Sequence, residues 1–175
     1  GGGGEAARVV GAGVRGRVLK GVSRGRYGLD LAEAPGGNRP DFWAWLARLG
    51  AAVAPEWTRR GALAKGGLRF RSGSLEPGQL NEKALEILGR SRLVAPQLHL
   101  SLQSGSPRIL KKMGRGHYDP AGIPAFLAEL RKIWPAFGLG ADYITGFPGE
   151  TEADFEDTLR LSRELPLTYA HVFPY

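Results

Sequence analysis

Residues 98–117 decide the fold, with the sequence LHLSLQSGSPRILKKMGRGH. Leucines at 98, 100 and 102 alternate with His99, Ser101 and Gln103, which predicts a β-strand with one apolar and one polar face. A buried parallel strand is normally apolar on both faces, so we expect the polar face to line a cavity; an edge strand with one wet face is the alternative. Ser106 and Pro107 then predict a helix start. Ligands of α/β proteins bind where such a strand end meets a helix.

A second stretch, ADYITGFPGET at residues 141–151, predicts another strand followed by a helix. Asp142 lies in a run that favours β structure, and this run ends at Gly146. Thr151 and Asp154 have the spacing of a capping box, which predicts a helix over 152–165. A carboxylate in a buried strand is costly unless it is paired or hydrogen-bonded. Asp142 is therefore either a satisfied structural group or a ligand contact.

Strand and helix patterns alternate along the rest of the chain, without an internal repeat. This alternation is typical of βα units around a parallel sheet, so the predicted fold class is α/β. Residues 5–11 indicate the end of a helix, and 51–67 have no clear pattern. The remaining predicted strands cover 16–22, 68–72 and 168–174, and the remaining predicted helices begin at Asp41, Asn81 and Asp119.

The composition fits a cytosolic α/β enzyme. The 175 residues include 42% hydrophobic ones, enough for a core, and the sequence shows neither an apolar run of membrane-spanning length nor a signal peptide. We therefore expect a cytoplasmic protein without a membrane partner. The net charge of +7 suits a phosphate-rich partner. A genome of high GC content, which favours arginine, glycine and alanine, would explain the charge as well.

Five segments together resemble the radical S-adenosylmethionine (SAM) enzymes, and among them the tRNA methylthiotransferases. SLEP at 74–77 and HVFPY at 171–175 are most similar to the branch that acts on threonylcarbamoyladenosine. The resemblance implies an α/β fold that is a partial radical SAM (βα)6 TIM-like barrel, with parallel strands two to six. The five segments are GVSRGRYGLDL (21–31), RFRSGSLEP (69–77), the stretch at 98–117, ADYITGFPGETEADF (141–155) and HVFPY.

The resemblance also implies a function. The branch methylthiolates carbon 2 of N6-threonylcarbamoyladenosine next to the anticodon of tRNA. The implied cofactors are SAM and a [4Fe–4S] cluster, and the implied partners are the tRNA anticodon stem-loop and an electron donor that reduces the cluster. Another radical SAM methylthiotransferase or methylase is an alternative.

The sequence contains no cysteine, whereas the cluster of this family is held by three thiolates. By the resemblance, residues 1–175 are expected to be an incomplete radical SAM core domain that lacks the cluster-binding first strand and loop. The upstream methylthiotransferase domain and the downstream RNA-binding domain would be absent too. We expect this chain alone to be inactive and assign it no catalytic residue. A non-catalytic relic that lost the cluster is the alternative.

Three candidate cofactor-binding residues follow from the resemblance and have simpler explanations. Glu76 would bind the ribose or the amino group of SAM, but it is also typical of a solvated loop carboxylate. Gln103 would donate or accept a hydrogen bond to the cofactor, or else satisfy backbone groups. Arg115 would pair with the SAM carboxylate, a planar pairing that guanidinium suits, or else lie on the surface after a helix.

The resemblance implies three further cofactor contacts. Asp142 would contact the adenosine part of SAM or support Arg115, and Ser104 would offer a hydroxyl. Gly21 would expose backbone groups to the methionine amine of SAM. We expect His99 to be a hydrogen-bonded core histidine rather than a metal ligand, and no metal site is assigned.

Overall fold

The computed structural model of the protein describes residues 16–19, 41–59 and 69–175. The predictions for residues 5–11 and for Gly21 lie outside the described residues. The chain forms two compact units, of which one comprises Gly1–Gly73 with Glu86–Ala95 and the other Ser74–Leu85 with Pro96–Tyr175. No helix in the described part combines the length and the apolar character needed to cross a membrane.

The first unit contains a pair of parallel strands and a long helix. Strands β1 (Gly16–Leu19) and β2 (Arg69–Ser72) pair with Gly16 opposite Arg69. Helix α1 (Phe42–Arg59) begins where the sequence predicts, since the Asp41 carboxylate accepts a hydrogen bond from Ala44 N at 2.8 Å. It continues through Pro55, into residues that the sequence pattern left unassigned. Among the described side chains of α1, the buried ones are Phe42, Trp43, Leu46, Leu49 and Val53.

The second unit is built on a parallel sheet in the order β3-β4-β5. Gln97 of β3 lies opposite Gly138 of β4, and Asp142 of β4 lies opposite His171 of β5. Strands and helices alternate along the chain, which confirms the predicted α/β class. The remaining elements are α2 (Glu82–Arg90), β3 (Gln97–Gln103), α3 (Pro107–Lys112), α4 (Ile123–Ile133), β4 (Gly138–Thr145), α5 (Glu152–Glu164) and β5 (Tyr169–Pro174), with short 3-10 turns at Pro77–Gln79 and Pro120–Gly122.

The two faces of β3 differ as the alternating sequence predicts. Leu98, Leu100 and Leu102 have no exposed surface. On the opposite face, Ser101 and Gln103 are partly exposed. Burying apolar side chains on one face stabilises the sheet, and the second face is left free for polar groups. Other fully buried side chains of this unit are Leu75, Ile109, Leu110, Leu130 and Leu139.

The loop after β3 lies directly against helix α5. Gly105 N donates a hydrogen bond to Thr158 Oγ1 at 2.9 Å. A Cβ atom on residue 105 would lie 2.6 Å from the Asp157 carbonyl oxygen and 2.7 Å from Thr158 Cα. Because both of these are backbone atoms, a side chain here would push the loop away from the helix. Glycine is required at residue 105 by this close approach.

A buried carboxylate ties the same loop to the start of α5. Asp154 is 5% exposed and accepts a hydrogen bond from the Ser106 hydroxyl at 2.6 Å. It also pairs with Arg108 and caps its own helix by accepting from Thr151 N at 2.9 Å. The predicted capping box is thereby confirmed. Hydrogen bonds from Arg108, Ser106 and Thr151 hold the pKa of Asp154 far below its ordinary range.

This carboxylate predicts a pH-dependent stability. Because its pKa is lowered in the folded state, its contribution is complete above the ordinary value of 3.8 and is lost as the pH falls below that value. We expect Asp154→Asn to unfold at lower urea concentration than the native sequence at pH 6, and the difference to shrink between pH 5 and about pH 3. Urea unfolding followed by circular dichroism measures it.

Asp157→Asn is the matched control, because Asp157 makes an exposed ion pair with Arg160 one turn further along the same helix. This substitution should leave the urea midpoint nearly unchanged at both pH values. A stability difference for Asp154→Asn that stays constant from pH 6 to pH 3 would contradict the assignment.

Candidate functional site

The candidate site lies at the carboxyl end of β3. The segment before it is fixed by the strand, because Leu75 N donates to the His99 carbonyl at 2.7 Å and Ser101 N donates to the Leu75 carbonyl at 2.9 Å. Glu76 therefore follows directly beside β3. Its own N–H donates to the Gln79 side chain at 3.0 Å, which holds the turn at Pro77–Gln79. This backbone frame positions the Glu76 carboxylate.

Glu76 forms an ion pair with Arg115, which lies in a different segment of the chain. Arg115 Nη1 lies 3.2 Å from Glu76 Oε1, with the two side chains 29% and 33% exposed. Arg115 follows α3, and its N–H donates to the Leu110 carbonyl at 2.8 Å. The contact uses one guanidinium nitrogen rather than a bidentate fork. Within the described residues this is the one ion pair of Arg115, which leaves N–H donors for an added carboxylate.

Gln103 ends β3 with an unusual backbone. Its φ is +66°, the one positive value among the described non-glycine residues, and the pairing with β4 shifts register between Leu100 and Gln103. For an L-residue the left-handed conformation costs about 1–2 kcal/mol. Strain of this kind is concentrated at ligand sites, where the surrounding structure enforces it. The end of β3 is therefore held in a conformation that the strand alone would not adopt.

Two aromatic neighbours complete this strand end and were not found by sequence reasoning. The Tyr118 hydroxyl donates to the Leu102 carbonyl at 2.6 Å, and burial raises the pKa of Tyr118, so the phenol remains a neutral donor. His117 Nε2 lies 3.5 Å from the second oxygen of Glu76. Both follow Arg115 within three residues, in the sequence GRGHY. This proximity to Arg115 is the sequence feature that could have indicated their place at the site.

Ser104 has contacts on the α5 side of the strand end. It is 1% exposed, its hydroxyl lies 3.2 Å from Thr158 Oγ1, and it accepts a hydrogen bond from Ser106 N at 3.1 Å. These contacts support the loop that follows Gln103. Gly21 lies outside the described residues.

Asp142 lies on β4, one residue before Tyr143, which pairs with Gln103 of β3. Its Oδ1 lies 2.9 Å from His99 Nε2 and 3.1 Å from His171 Nδ1. The structure thus brings Glu76 and Arg115 together beside the end of β3, whereas Asp142 is bound by two imidazoles. The part played by His171 could not be read from the sequence, because it depends on the register between β4 and β5.

The donors and acceptors at the end of β3 fit a ligand with an amine and a carboxylate. Glu76 can accept from an ammonium or a hydroxyl group, and Arg115 can pair with a carboxylate through its remaining N–H groups. Parallel α/β sheets bind their ligands outside the carboxyl ends of the strands, where this pair lies.

Comparison with known proteins gives a family. The family model described as the Radical SAM superfamily matches residues 39–162 of this chain. A threonylcarbamoyladenosine tRNA methylthiotransferase of Rickettsia prowazekii is 37% identical over 158 residues, covering 90% of this chain and 34% of that protein. The enzyme of the same name in Bacillus subtilis is 33% identical, with 98% of this chain and 34% of that protein covered.

A relative with a different name is similar to the same extent. It is the tRNA-2-methylthio-N(6)-dimethylallyladenosine synthase of Oleidesulfovibrio alaskensis, which is 35% identical over 98% of this chain and 33% of its own length. The chain spans about a third of the length of these curated relatives.

A solved structure shows the same fold. Coproporphyrinogen III oxidase from Escherichia coli, a radical SAM enzyme, superposes with a TM-score of 0.52 at 22% identity, covering 72% of this chain and 28% of that one. This similarity, together with the parallel strands that alternate with helices, confirms the expected partial TIM-like barrel. The chain therefore belongs to the radical SAM superfamily.

Proposed function

We propose that this chain binds SAM at the carboxyl end of β3, as the cofactor-binding part of a tRNA methylthiotransferase. The observation that supports this most is the pair Glu76–Arg115 at a strained strand end, where the guanidinium makes no second ion pair within the described residues. SAM carries the amine and carboxylate that such a pair can bind. When bound, SAM supplies the radical chemistry of this superfamily.

The residues have separate roles in this proposal. Arg115 binds the methionine carboxylate, and Glu76 accepts from the amine or from a ribose hydroxyl. Gln103, whose backbone has a positive φ, forms a hydrogen bond to the cofactor through its side-chain amide in this proposal. Ser104 supports this strand end through Thr158. Gly21 is assigned a backbone contact to the methionine amine of SAM, and this assignment rests on the family resemblance.

The iron–sulfur cluster of the superfamily does not fit the residues of this chain. Such clusters are held by cysteine thiolates, and the sequence has no cysteine. No step through a cluster is therefore assigned to these 175 residues. Thiolate ligands, and the electron donor that a cluster requires, would have to come from outside them.

The proposed reaction is methylthiolation at carbon 2 of N6-threonylcarbamoyladenosine in the anticodon loop of tRNA. It is supported by the names of the Rickettsia and Bacillus relatives, and the net charge of +7 suits a polyanionic substrate. Such a substrate implies a cytoplasmic protein. The Oleidesulfovibrio relative favours a second candidate, the same reaction on dimethylallyladenosine.

The first prediction from this proposal concerns cofactor binding. We expect the 175-residue chain to bind SAM in isothermal titration calorimetry, and Arg115→Ala to weaken binding by about tenfold or more, since a hydrogen bond to a charged group contributes about 1.5–3 kcal/mol. Glu76→Gln should weaken it as well.

Arg131→Ala is the control for this experiment, because Arg131 is an exposed arginine on α4. Its dissociation constant for SAM should match that of the native chain. An unchanged constant for Arg115→Ala and Glu76→Gln, in variants with native circular dichroism spectra, would exclude the proposed site.

The second prediction concerns the substrate. Deletion of the gene that encodes this chain should remove the methylthio group from threonylcarbamoyladenosine in cellular tRNA and leave methylthiolated dimethylallyladenosine at its normal level. Mass spectrometry of nucleosides from digested tRNA measures both. Loss of the dimethylallyl product alone would favour the second candidate, and no change in either nucleoside would contradict the proposed reaction.

A further inference from the structure

A second cluster of polar side chains shares no residue with the Glu76–Arg115 pair. It consists of His99 on β3, Asp142 on β4 and His171 on β5, one residue from each strand of the sheet. Asp142 and His171 lie opposite each other in the strand register. The parallel pairing therefore places the Asp142 carboxylate between one imidazole from β3 and one from β5.

We infer that His99, Asp142 and His171 form a binding site for a divalent transition-metal ion of the zinc type. The ligand atoms of the three residues all lie within 4.8 Å of one another. Two nitrogens and one oxygen form a donor set that suits zinc, copper, iron or nickel better than magnesium or calcium. These residues are separate from the proposed SAM pair, so the metal site stands or falls independently of it.

Two of the three distances between the ligand atoms match what one ion needs. Zinc binds imidazole nitrogen at about 2.0–2.1 Å and carboxylate oxygen at about 2.0–2.2 Å, so two ligands of one ion lie about 3 Å apart. The two imidazole nitrogens lie 2.9 Å and 3.1 Å from the same Asp142 oxygen. The two nitrogens lie within 4.8 Å of each other, so both imidazoles can turn toward an ion bound to Asp142.

Tyr169 orients His99 for this role. Its hydroxyl lies 2.9 Å from His99 Nδ1, and the two rings stack with centroids 5.5 Å apart. A metal-bound histidine usually donates its second ring N–H to an acceptor, which fixes the ring. With Nε2 on the ion, His99 carries its proton on Nδ1 and donates it to the Tyr169 oxygen. A Cβ atom at Gly140 would lie 2.6 Å from His99 Nδ1, so glycine leaves the room that the pair requires.

The charge around Asp142 also favours a cation. Its side chain is 17% exposed, and the contacts that the described residues make to it come from His99 and His171, not from lysine or arginine. A largely buried carboxylate with these neighbours is a favourable place for a bound cation, which would offset its negative charge. The His171 side chain is 56% exposed, so one side of the ion would remain open. Three protein ligands with an open position are typical of a reactive rather than a purely structural site.

The sequence alone favours a core histidine at position 99, because a single histidine on a strand says nothing about its neighbours. The structure adds a carboxylate and a second imidazole from residues 43 and 72 positions further along the chain. The composition makes the metal site easy to test. The chain has three histidines and no cysteine, so His117 is the one imidazole outside the cluster.

The test is a titration of the 175-residue chain, prepared without a histidine tag, with Zn2+ and with Co2+. Calorimetry should show one Zn2+ bound per chain, and Co2+ should give the visible absorption of an ion with nitrogen and oxygen ligands. His171→Ala and Asp142→Asn should each lower the affinity at least tenfold. Tyr169→Phe should lower it about tenfold without removing a ligand, the usual effect of losing an outer hydrogen bond.

His117→Ala is the matched control and should leave the stoichiometry and the affinity unchanged. His171 is exposed and Tyr169→Phe is conservative, so these two variants should stay folded, which circular dichroism checks. The metal site is refuted if the native chain shows no stoichiometric Zn2+ binding. It is also refuted if His117→Ala lowers the affinity as much as His171→Ala. The zinc titration is independent of the SAM experiment, because loss of SAM binding in the Arg115 variant would leave the expected zinc binding unchanged.

Discussion

The close approach of Gly105 to helix α5 is the constraint on which the rest of the second unit depends. Backbone meets backbone there, since a Cβ atom on residue 105 would lie only 2.6 Å from the Asp157 carbonyl oxygen. The buried carboxylate of Asp154 ties Ser106 to the same helix. The loop held in this way follows directly after Gln103, the residue with positive φ that ends β3. Hydrogen bonds within the loop offset the strain rather than removing it.

This fixed strand end makes the site possible. The leucine face of β3 is buried, so its other face is free to carry polar groups along the whole strand. Leu75 pairs with β3 and thereby positions Glu76 beside it. Arg115 follows α3, and its N–H donates to the Leu110 carbonyl, which positions the guanidinium next to Glu76. On the same sheet, His99 lies close to Asp142 and His171. One sheet thus supports two groups of polar side chains with different chemistry, an amine- and carboxylate-binding pair and a nitrogen-rich cluster.

Local features of the fold could be predicted from the sequence, and features that depend on register could not. The alternation at 98–103 and the caps at Asp41, Ser106 and Thr151 are encoded within a few residues, and the structure confirms them. Helix α1 runs past Gly50, where the burial of Val53 outweighs a weak local pattern. In contrast, the Glu76–Arg115 pair spans 39 residues and the Ser104–Thr158 contact spans 54, so both follow from tertiary packing.

Binding of SAM at the end of β3 is tested most directly by amide NMR of the 175-residue chain during a titration with SAM. We predict that the largest shifts occur at Glu76, Gln103 and Arg115. We predict only small shifts for the residues that line the open groove of about 560 Å³, among them Leu127, Arg131 and Arg163. Shifts concentrated in that groove, or no saturable shifts at any concentration of SAM, would contradict this assignment of the site.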